Sequence, residues 1–129
     1  MNIKNTFPKK EKLCGEIRIG RLFAEGEAFI AYPLRVVYKF SEEREDSGVK
    51  ILISVPKKKI KKAVHRNRIK RQIREAYRLN KAVLLESCLN NGKSLQIAVT
   101  YLSEKLPEYE VIEDKIKLTL TRLLQLFST

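Results

Sequence analysis

Apolar residues recur at helical spacing in three parts of the chain. The first predicts a helix over about residues 14–25, which Gly26 should end. The second predicts a basic helix from about residue 62 to residue 80, with a broken extension to Leu89. The third predicts an amphipathic helix that begins after Pro107 and closes the chain.

Three other segments alternate apolar and polar residues with the period of two that is typical of strands. In the longest, residues 28–40, every even position from 30 onwards is apolar, which predicts one long strand with a packed face. Pro33 cannot donate a ladder hydrogen bond, so the strand should be bulged or at a sheet edge there. Residues 49–55 and 94–101 predict the second and third strands. The acidic segment between the first two strands, residues 41–48, is interpreted as a solvated hairpin loop rather than a metal site.

The predicted elements follow the order αββαβα over 129 residues, a length that suits one domain. A strand, helix, strand unit in the second half predicts an α+β fold, a small α/β sandwich in which helices pack on a sheet. Residues 1–12 are polar and basic apart from Ile3 and Phe7, which predicts a flexible basic arm. The expected organisation is therefore a single domain over residues 1–129 with this arm at its start.

Cysteine usage and hydropathy limit the classes of protein that fit. Cys14 and Cys88 are far apart and have no metal-ligand spacing around them, so they favour the reduced thiols of a cytosolic protein. No apolar run approaches the roughly 20 residues that a membrane-spanning helix needs. The first residues also lack the apolar core of a signal peptide. A cytoplasmic protein is the expectation.

Positive charge is concentrated in one segment. The net charge is +12, and residues 56–74 contain six lysines, four arginines and no acid, which amounts to +10. On a helical wheel the apolar residues of the basic helix share one arc: Ile69, Ile73, Ala76 and Tyr77. Lys70, Arg74 and Asn67 lie on the opposite side. Because like charges four residues apart repel, a face of this kind predicts a polyanionic partner rather than mere contact with solvent.

Phosphates are the polyanion that this chemistry suits. Arginine offers forked donors to phosphate oxygens, lysine a point charge, and Asn67 hydrogen bonds to bases or ribose. A membrane surface is disfavoured because the core requires the apolar face of the helix. A helix-turn-helix is disfavoured because the basic helix follows a strand and a lysine loop. Phe7, Phe23 and Tyr38 favour RNA, whose unpaired bases stack on rings, although core packing fits Phe23 and Tyr38 equally well.

The segment KKAVHRNRIKRQIREAYR closely resembles the RNR motif of the bacterial ribonuclease P protein subunit. Five residues match that motif: Arg66, Asn67, Arg68, Lys70 and Arg71. FPKKEKL at 7–13, RLFAEG at 21–26 and ISVPKKKIKKAV at 53–64 are similar to three further family segments, so the resemblance covers most of the chain. The sequence departs from the family at Lys61 and Lys62, where some members carry glycine, and at Ile19, where an aromatic residue is frequent.

The resemblance implies a ribosomal protein S5 domain 2-like fold with a left-handed βαβ crossover. It implies two RNA partners, the ribonuclease P catalytic RNA and the 5′ leader of precursor tRNA, with no DNA and no membrane. Removal of the leader is then catalysed by the RNA subunit with Mg²⁺. No catalytic residue, metal site or cofactor is expected on the protein itself.

The resemblance also implies two sets of site residues. The set expected to hold the catalytic RNA is Lys57, Lys58, Lys61, Lys62, Arg66, Asn67, Arg68, Lys70, Arg71 and Arg74. The set expected in a leader-binding cleft between the first helix and the sheet is Phe7, Phe23 and Tyr38, with Val36 as the alternative to Tyr38.

Three other functions stay open at this point. They are a ribosomal protein or RNA chaperone, a metal-independent nuclease and a DNA-binding regulator. His65 is the only histidine and has no nucleophile beside it in the sequence, which argues against a nuclease. The sequence also contains no glycine-rich phosphate loop.

Overall fold

A computed structural model describes residues 12–13, 15–41 and 48–128. Its helices are α1 Glu16–Glu25, α2 Ala63–Asn80, α3 Ala82–Asn91 and α4 Tyr109–Gln125, and a 3₁₀ turn follows at Leu126–Ser128. Its strands are β1 Glu27–Ala31, β2 Leu34–Ser41, β3 Val49–Ser54 and β4 Ser94–Tyr101. The α+β class is confirmed. The predicted order αββαβα also holds, once β1 and β2 are counted as the first predicted strand and α2 and α3 as the broken basic helix.

The prediction of one long strand over residues 28–40 is wrong, because a turn at Tyr32 and Pro33 folds this segment into the β1–β2 hairpin. The peptide bond between these two residues is cis. The reversal changes which positions face the core: Phe29 pairs with Val36, whereas Ile30 is 60% exposed. Apolar residues continue through the turn, so periodicity alone does not reveal it.

The sheet has the strand order β1-β2-β4-β3. β2 and β4 are antiparallel, whereas β3 and β4 are parallel and are joined by a crossover through α2 and α3. Because β4 lies between β2 and β3, the segment at residues 41–48 is not a hairpin loop, and that interpretation is wrong. Residues 42–47 themselves lie outside the described residues. The left-handed sense of the crossover stays a prediction.

The two faces of the sheet pack against different helices. On one face, Val36 and Ile97 belong to the large core that the sheet shares with α2, α3 and α4. On the other face, Leu22 of α1 packs with Leu13, Val37 and Ala98. The chain before α1 joins the sheet through a parallel bridge between Lys12 and Ile51, so the last residue of the predicted arm is attached to β3.

The predicted buried arc of the basic helix is confirmed. The buried residues of α2 are the four that the wheel identified: Ile69, Ile73, Ala76 and Tyr77. They belong to the same core as Ile112 and Ile116 of α4. The break between α2 and α3 falls at Lys81, whose side chain is buried with its ammonium nitrogen 5.9 Å from the centre of the Tyr77 ring. These contacts fix the orientation of α2, so that its polar side is directed away from the core.

Gly26 ends α1, as predicted. Glycine is required at this position because there is no space for a side chain. Its φ of −76° is open to any residue. A Cβ there would lie 2.5 Å from the Leu22 carbonyl oxygen and 2.8 Å from that of Tyr38. Both neighbours are backbone atoms and cannot rotate away.

We therefore expect Gly26→Ala to lower the free energy of unfolding by about 1–3 kcal/mol, since the backbone must shift to admit the methyl group. Urea denaturation measures the change. The matched control is Gly20→Ala, also on α1, where a Cβ meets nothing within 4 Å. That variant should gain about 0.5–1 kcal/mol from helix propensity. Equal stabilities of the two variants would contradict the close approach of α1 to β2.

Candidate nucleic-acid interface

The lysine loop, residues 57–62, connects β3 to α2. The amides of Lys59 and Ile60 both donate to the Pro56 carbonyl at 3.1 Å, which forms a turn at the start of the loop. The Ile60 side chain is only 4% exposed and anchors the middle of the loop in the core. Four lysines around this anchor are exposed to solvent: Lys57, Lys58, Lys61 and Lys62. The loop therefore has a buried point of attachment and a cationic surface.

The start of α2 adds to this positive potential. Lys62 is the N-cap residue and makes no side-chain capping hydrogen bond, and the first turn contains no acid. The first N–H groups of a helix lack partners within the helix, and the helix dipole places partial positive charge there. The lysine loop and the positive end of α2 thus lie side by side.

The polar side of α2 carries what we call the basic face: Asn67, Arg68, Lys70, Arg71 and Arg74. Lys70 is half-buried and the other four are exposed. Glu75, the acid of this helix, forms an ion pair with Arg78. The hydrogen bond from Arg78 lowers the pKa of Glu75, and the bond to Glu75 raises the pKa of Arg78. The acid on α2 is therefore engaged by an arginine that lies one turn beyond the basic face.

Arg66, the first arginine of the RNR triplet, lies in a different environment from Arg68. It is half-buried, and its Nη1 donates to the backbone carbonyls of Ile60 at 3.0 Å and Lys61 at 2.7 Å. Arg66 thus bonds the lysine loop rather than standing free on the basic face. In the sequence, Arg66 looks like one more RNA-binding cation. Its bonds to the loop cannot be predicted, because they depend on the folded path of the loop, which brings the two carbonyls within reach.

A cavity of about 540 Å³ lies between the lysine loop and the connection from β4 to α4. Its lining residues are Lys58, Lys59, Ile60, Lys61, Lys62, His65, Glu104 and Leu106. The charge pattern of the sequence points to the lysines but gives no sign of Glu104 or Leu106. Glu104 and Leu106 come more than forty positions after Lys62 in the chain, and only the parallel pairing of β3 with β4 brings them to the lysine loop.

The three aromatic residues expected in a leader cleft do not share one location among the described residues. Phe7 lies outside the described residues, and Phe23 lies on α1 with 45% of its surface exposed. Tyr38 lies on the sheet face that carries α2, α3 and α4, where its ring centre is 5.8 Å from that of Phe29. Val36 is fully buried on the same face.

Tyr38 therefore does not face α1, and its placement in a cleft between the first helix and the sheet is corrected. The physical reason is the period of two in a strand, which turns adjacent residues to opposite faces. Val37, the neighbour of Tyr38, is the residue that packs beneath α1.

The surroundings of Tyr38 differ in charge from the basic face. Its hydroxyl donates to Glu27 Oε2 at 2.9 Å, and burial together with this bond raises the pKa of Tyr38. With Glu25, Glu27, Lys39 and others it lines a cavity of about 420 Å³. Lys39 bonds Glu25 and lowers the pKa of that carboxyl group. Two carboxylates make this cavity a poor place for phosphate.

The described residues contain no cluster of metal ligands, and the one cysteine among them is buried. Within residues 12–13, 15–41 and 48–128, no three His, Cys, Asp or Glu side chains are grouped so that they could hold a metal ion. Over the same residues, no helix has the length and apolar character needed to cross a membrane. Cys88 is buried, and burial raises the pKa of its thiol to about 11. Cys14 lies outside the described residues.

The fold and surface define a small α+β protein whose positive charge is concentrated on one helix and the loop before it. The Ribonuclease P family model matches residues 7–123. The ribonuclease P protein component of Porphyromonas gingivalis is 40% identical over 115 residues, which cover 89% of this chain and 84% of that protein. The corresponding component of Chlorobaculum tepidum is 33% identical, with coverage of 93% and 84%. The chain belongs to the ribonuclease P protein family.

A solved structure supports the fold. The RNase P protein of Staphylococcus aureus, determined at 2.0 Å, superposes with a TM-score of 0.63 and covers 92% of this chain and 95% of its own. It is 24% identical in sequence. At this identity the likeness concerns the architecture alone, and it agrees with the α+β class derived from the pattern of apolar residues.

Proposed function

We propose that this chain is the protein subunit of a ribonuclease P ribonucleoprotein and assists removal of the 5′ leader from precursor tRNA. Membership of the ribonuclease P protein family supports this role. The observation that carries the RNA-binding part is the division of α2 into two sides. Ile69, Ile73, Ala76 and Tyr77 are buried in the core, while the basic face, opposite them, remains accessible.

In this proposal the basic face and the lysine loop bind the catalytic RNA. Arg68 and Arg71 offer forked donors to phosphate oxygens, and Asn67 can bond a ribose hydroxyl or a base edge. The lysines of the loop extend the same cationic surface towards the cavity beside Leu106. Neutralising phosphates releases counterions, which favours association and makes it dependent on salt.

The division of labour follows from the same proposal. The RNA subunit with bound Mg²⁺ supplies the chemistry, and the protein reduces the repulsion between catalytic RNA and substrate. Phe23, exposed on α1, and Phe7 are proposed to stack on unpaired bases of the leader. Tyr38 has no part in this contact because it lies on the opposite face of the sheet.

Arg68→Ala and Arg71→Ala should each weaken RNA binding and flatten the plot of log affinity against log salt by about one unit or less, which is the change expected per lost phosphate contact. Filter binding or fluorescence anisotropy over a range of KCl concentrations measures the slope. Lys117→Ala is the control, since it removes the same charge from the exposed surface of α4 and should leave the slope unchanged. An unaltered slope in both arginine variants would exclude α2 from the interface.

A further inference from the structure

Two arginines of one triplet have different surroundings, and this difference has a functional consequence. Arg68 is exposed on the basic face, whereas Arg66 directs Nη1 at two successive carbonyl oxygens of the lysine loop. A guanidinium group has five N–H donors and no acceptor. Its bonds to carbonyls are charge-assisted and directional, which suits it to fixing a backbone.

Hydrogen bonds of this kind stabilise the lysine loop against the repulsion between its own charges. Its lysines are neighbours in sequence and repel one another, and they have no acid among them. The turn at Pro56 and the buried Ile60 side chain hold its first part. The carbonyls of Ile60 and Lys61, which follow, are the two that Arg66 bonds.

The two hydrogen bonds from Arg66 to the loop carbonyls, which we call the Arg66 clamp, link the lysine loop to the first turn of α2. The amide of Arg66 donates to the Lys62 carbonyl at 3.1 Å, so Arg66 lies in the first turn of the helix. Ile69 and Ile73, further along α2, are fully buried and fix that helix on the sheet. Arg66 therefore transmits the orientation of α2 to the loop that precedes it.

We infer that Arg66 is a positioning residue, which fixes the direction in which the lysine loop presents its ammonium groups to RNA. The inference rests on the proposed function, because that proposal assigns the loop to RNA binding. Without the clamp each lysine contact must order its own stretch of chain when RNA binds, and this ordering lowers affinity. Arg66 then acts through Lys57, Lys58, Lys61 and Lys62 rather than by its own contact with phosphate.

Amide hydrogen exchange in the free protein tests the clamp without any RNA. In Arg66→Ala, the amides of Lys59 and Ile60 should exchange about tenfold faster or more, because the loop opens locally without its second attachment. In Arg68→Ala, the matched loss of one arginine from the same triplet, they should exchange at the wild-type rate. The amide of Ile73 serves as the internal reference. Wild-type exchange of both loop amides in Arg66→Ala would overturn the inference.

A double-mutant cycle tests the action on RNA. In the background variant, glutamine replaces Lys57, Lys58, Lys61 and Lys62. Affinity is measured for ribonuclease P RNA transcribed in vitro from the gene of the source organism. Arg66→Ala should weaken binding by roughly tenfold in the natural sequence, the loss expected when several side chains must be ordered on binding. In the glutamine background, where the lysines to be positioned are gone, it should weaken binding by less than about twofold.

The two possible failures are distinguishable. If the glutamine variant binds weakly and Arg66→Ala costs the same in both backgrounds, Arg66 contacts RNA directly, and the inference fails while the proposed function stands. If the glutamine variant binds RNA as well as the natural protein, the loop is not an RNA contact. That result overturns the loop's part in the proposed function and, with it, the positioning of lysines for RNA.

Discussion

Replacing Arg68, Lys70 and Arg71 together by alanine should weaken binding of the ribonuclease P RNA by roughly 100-fold. Each charge-assisted contact contributes about 1 kcal/mol or more, and 1.4 kcal/mol corresponds to a factor of ten in affinity. The slope of log affinity against log salt should flatten by about two to three units, since three counterions are no longer released. Anisotropy titrations at several KCl concentrations give both quantities.

The fold should survive this triple replacement because the three side chains lie outside the core. The free energy of unfolding should change by no more than about 0.5 kcal/mol per site. The matched control replaces Lys93, Lys115 and Lys117, which are also two exposed residues and one half-buried residue. It lowers the net charge by the same three units. Equal losses of affinity in the two triple variants would mean that net charge, rather than the basic face, determines binding.

Ile73→Ala should lower the free energy of unfolding by about 2–5 kcal/mol, the range for deleting a large aliphatic side chain from a packed core. Ile73 is fully buried in the core that α2 shares with the sheet and α4. The loss is a large part of the roughly 5–15 kcal/mol that stabilises a typical domain. Urea denaturation followed by circular dichroism measures it.

Val64→Ala on the same helix is the control for Ile73→Ala. Val64 is 68% exposed, so its truncation should change the free energy of unfolding by no more than about 0.5 kcal/mol.

Because α2 carries the basic face, the Ile73→Ala variant should also bind RNA more weakly near its lowered unfolding temperature, and its RNA binding should return on cooling. A loss of less than about 1 kcal/mol in the free energy of unfolding of Ile73→Ala would contradict the packing of α2 on the sheet.

Features that depend on local periodicity could be predicted from the sequence. The buried arc of α2 follows from the helical spacing of Ile69, Ile73, Ala76 and Tyr77, and the structure buries the same four residues. Gly26 is predictable as the end of α1, although the decisive factor is the close approach of the Leu22 and Tyr38 carbonyls. Such features are set by neighbours in the chain, which the sequence displays directly.

Features that depend on distant neighbours could not be predicted in the same way. Nothing local indicates that β4 inserts between β2 and β3, so the sequence of the acidic segment wrongly predicts a hairpin loop. The resemblance implies that Tyr38 lies on the α1 side of the sheet, but alternation in β2 turns it to the other face. The bonds from Arg66 to the lysine loop likewise depend on where the loop folds back. Register and loop path are tertiary properties, and here they decide which candidate residues meet.

Cleavage of a 5′-extended precursor tRNA at low Mg²⁺ concentration is the decisive experiment for the proposed role of this protein. Three reactions are compared, which contain the protein alone, the ribonuclease P RNA alone, and the two together. We expect efficient cleavage at the mature 5′ end only in the mixture, because the basic face and lysine loop offset repulsion between the RNAs that Mg²⁺ at low concentration cannot offset. If the mixture is no more active than the RNA alone, the protein is not the subunit that assists this cleavage.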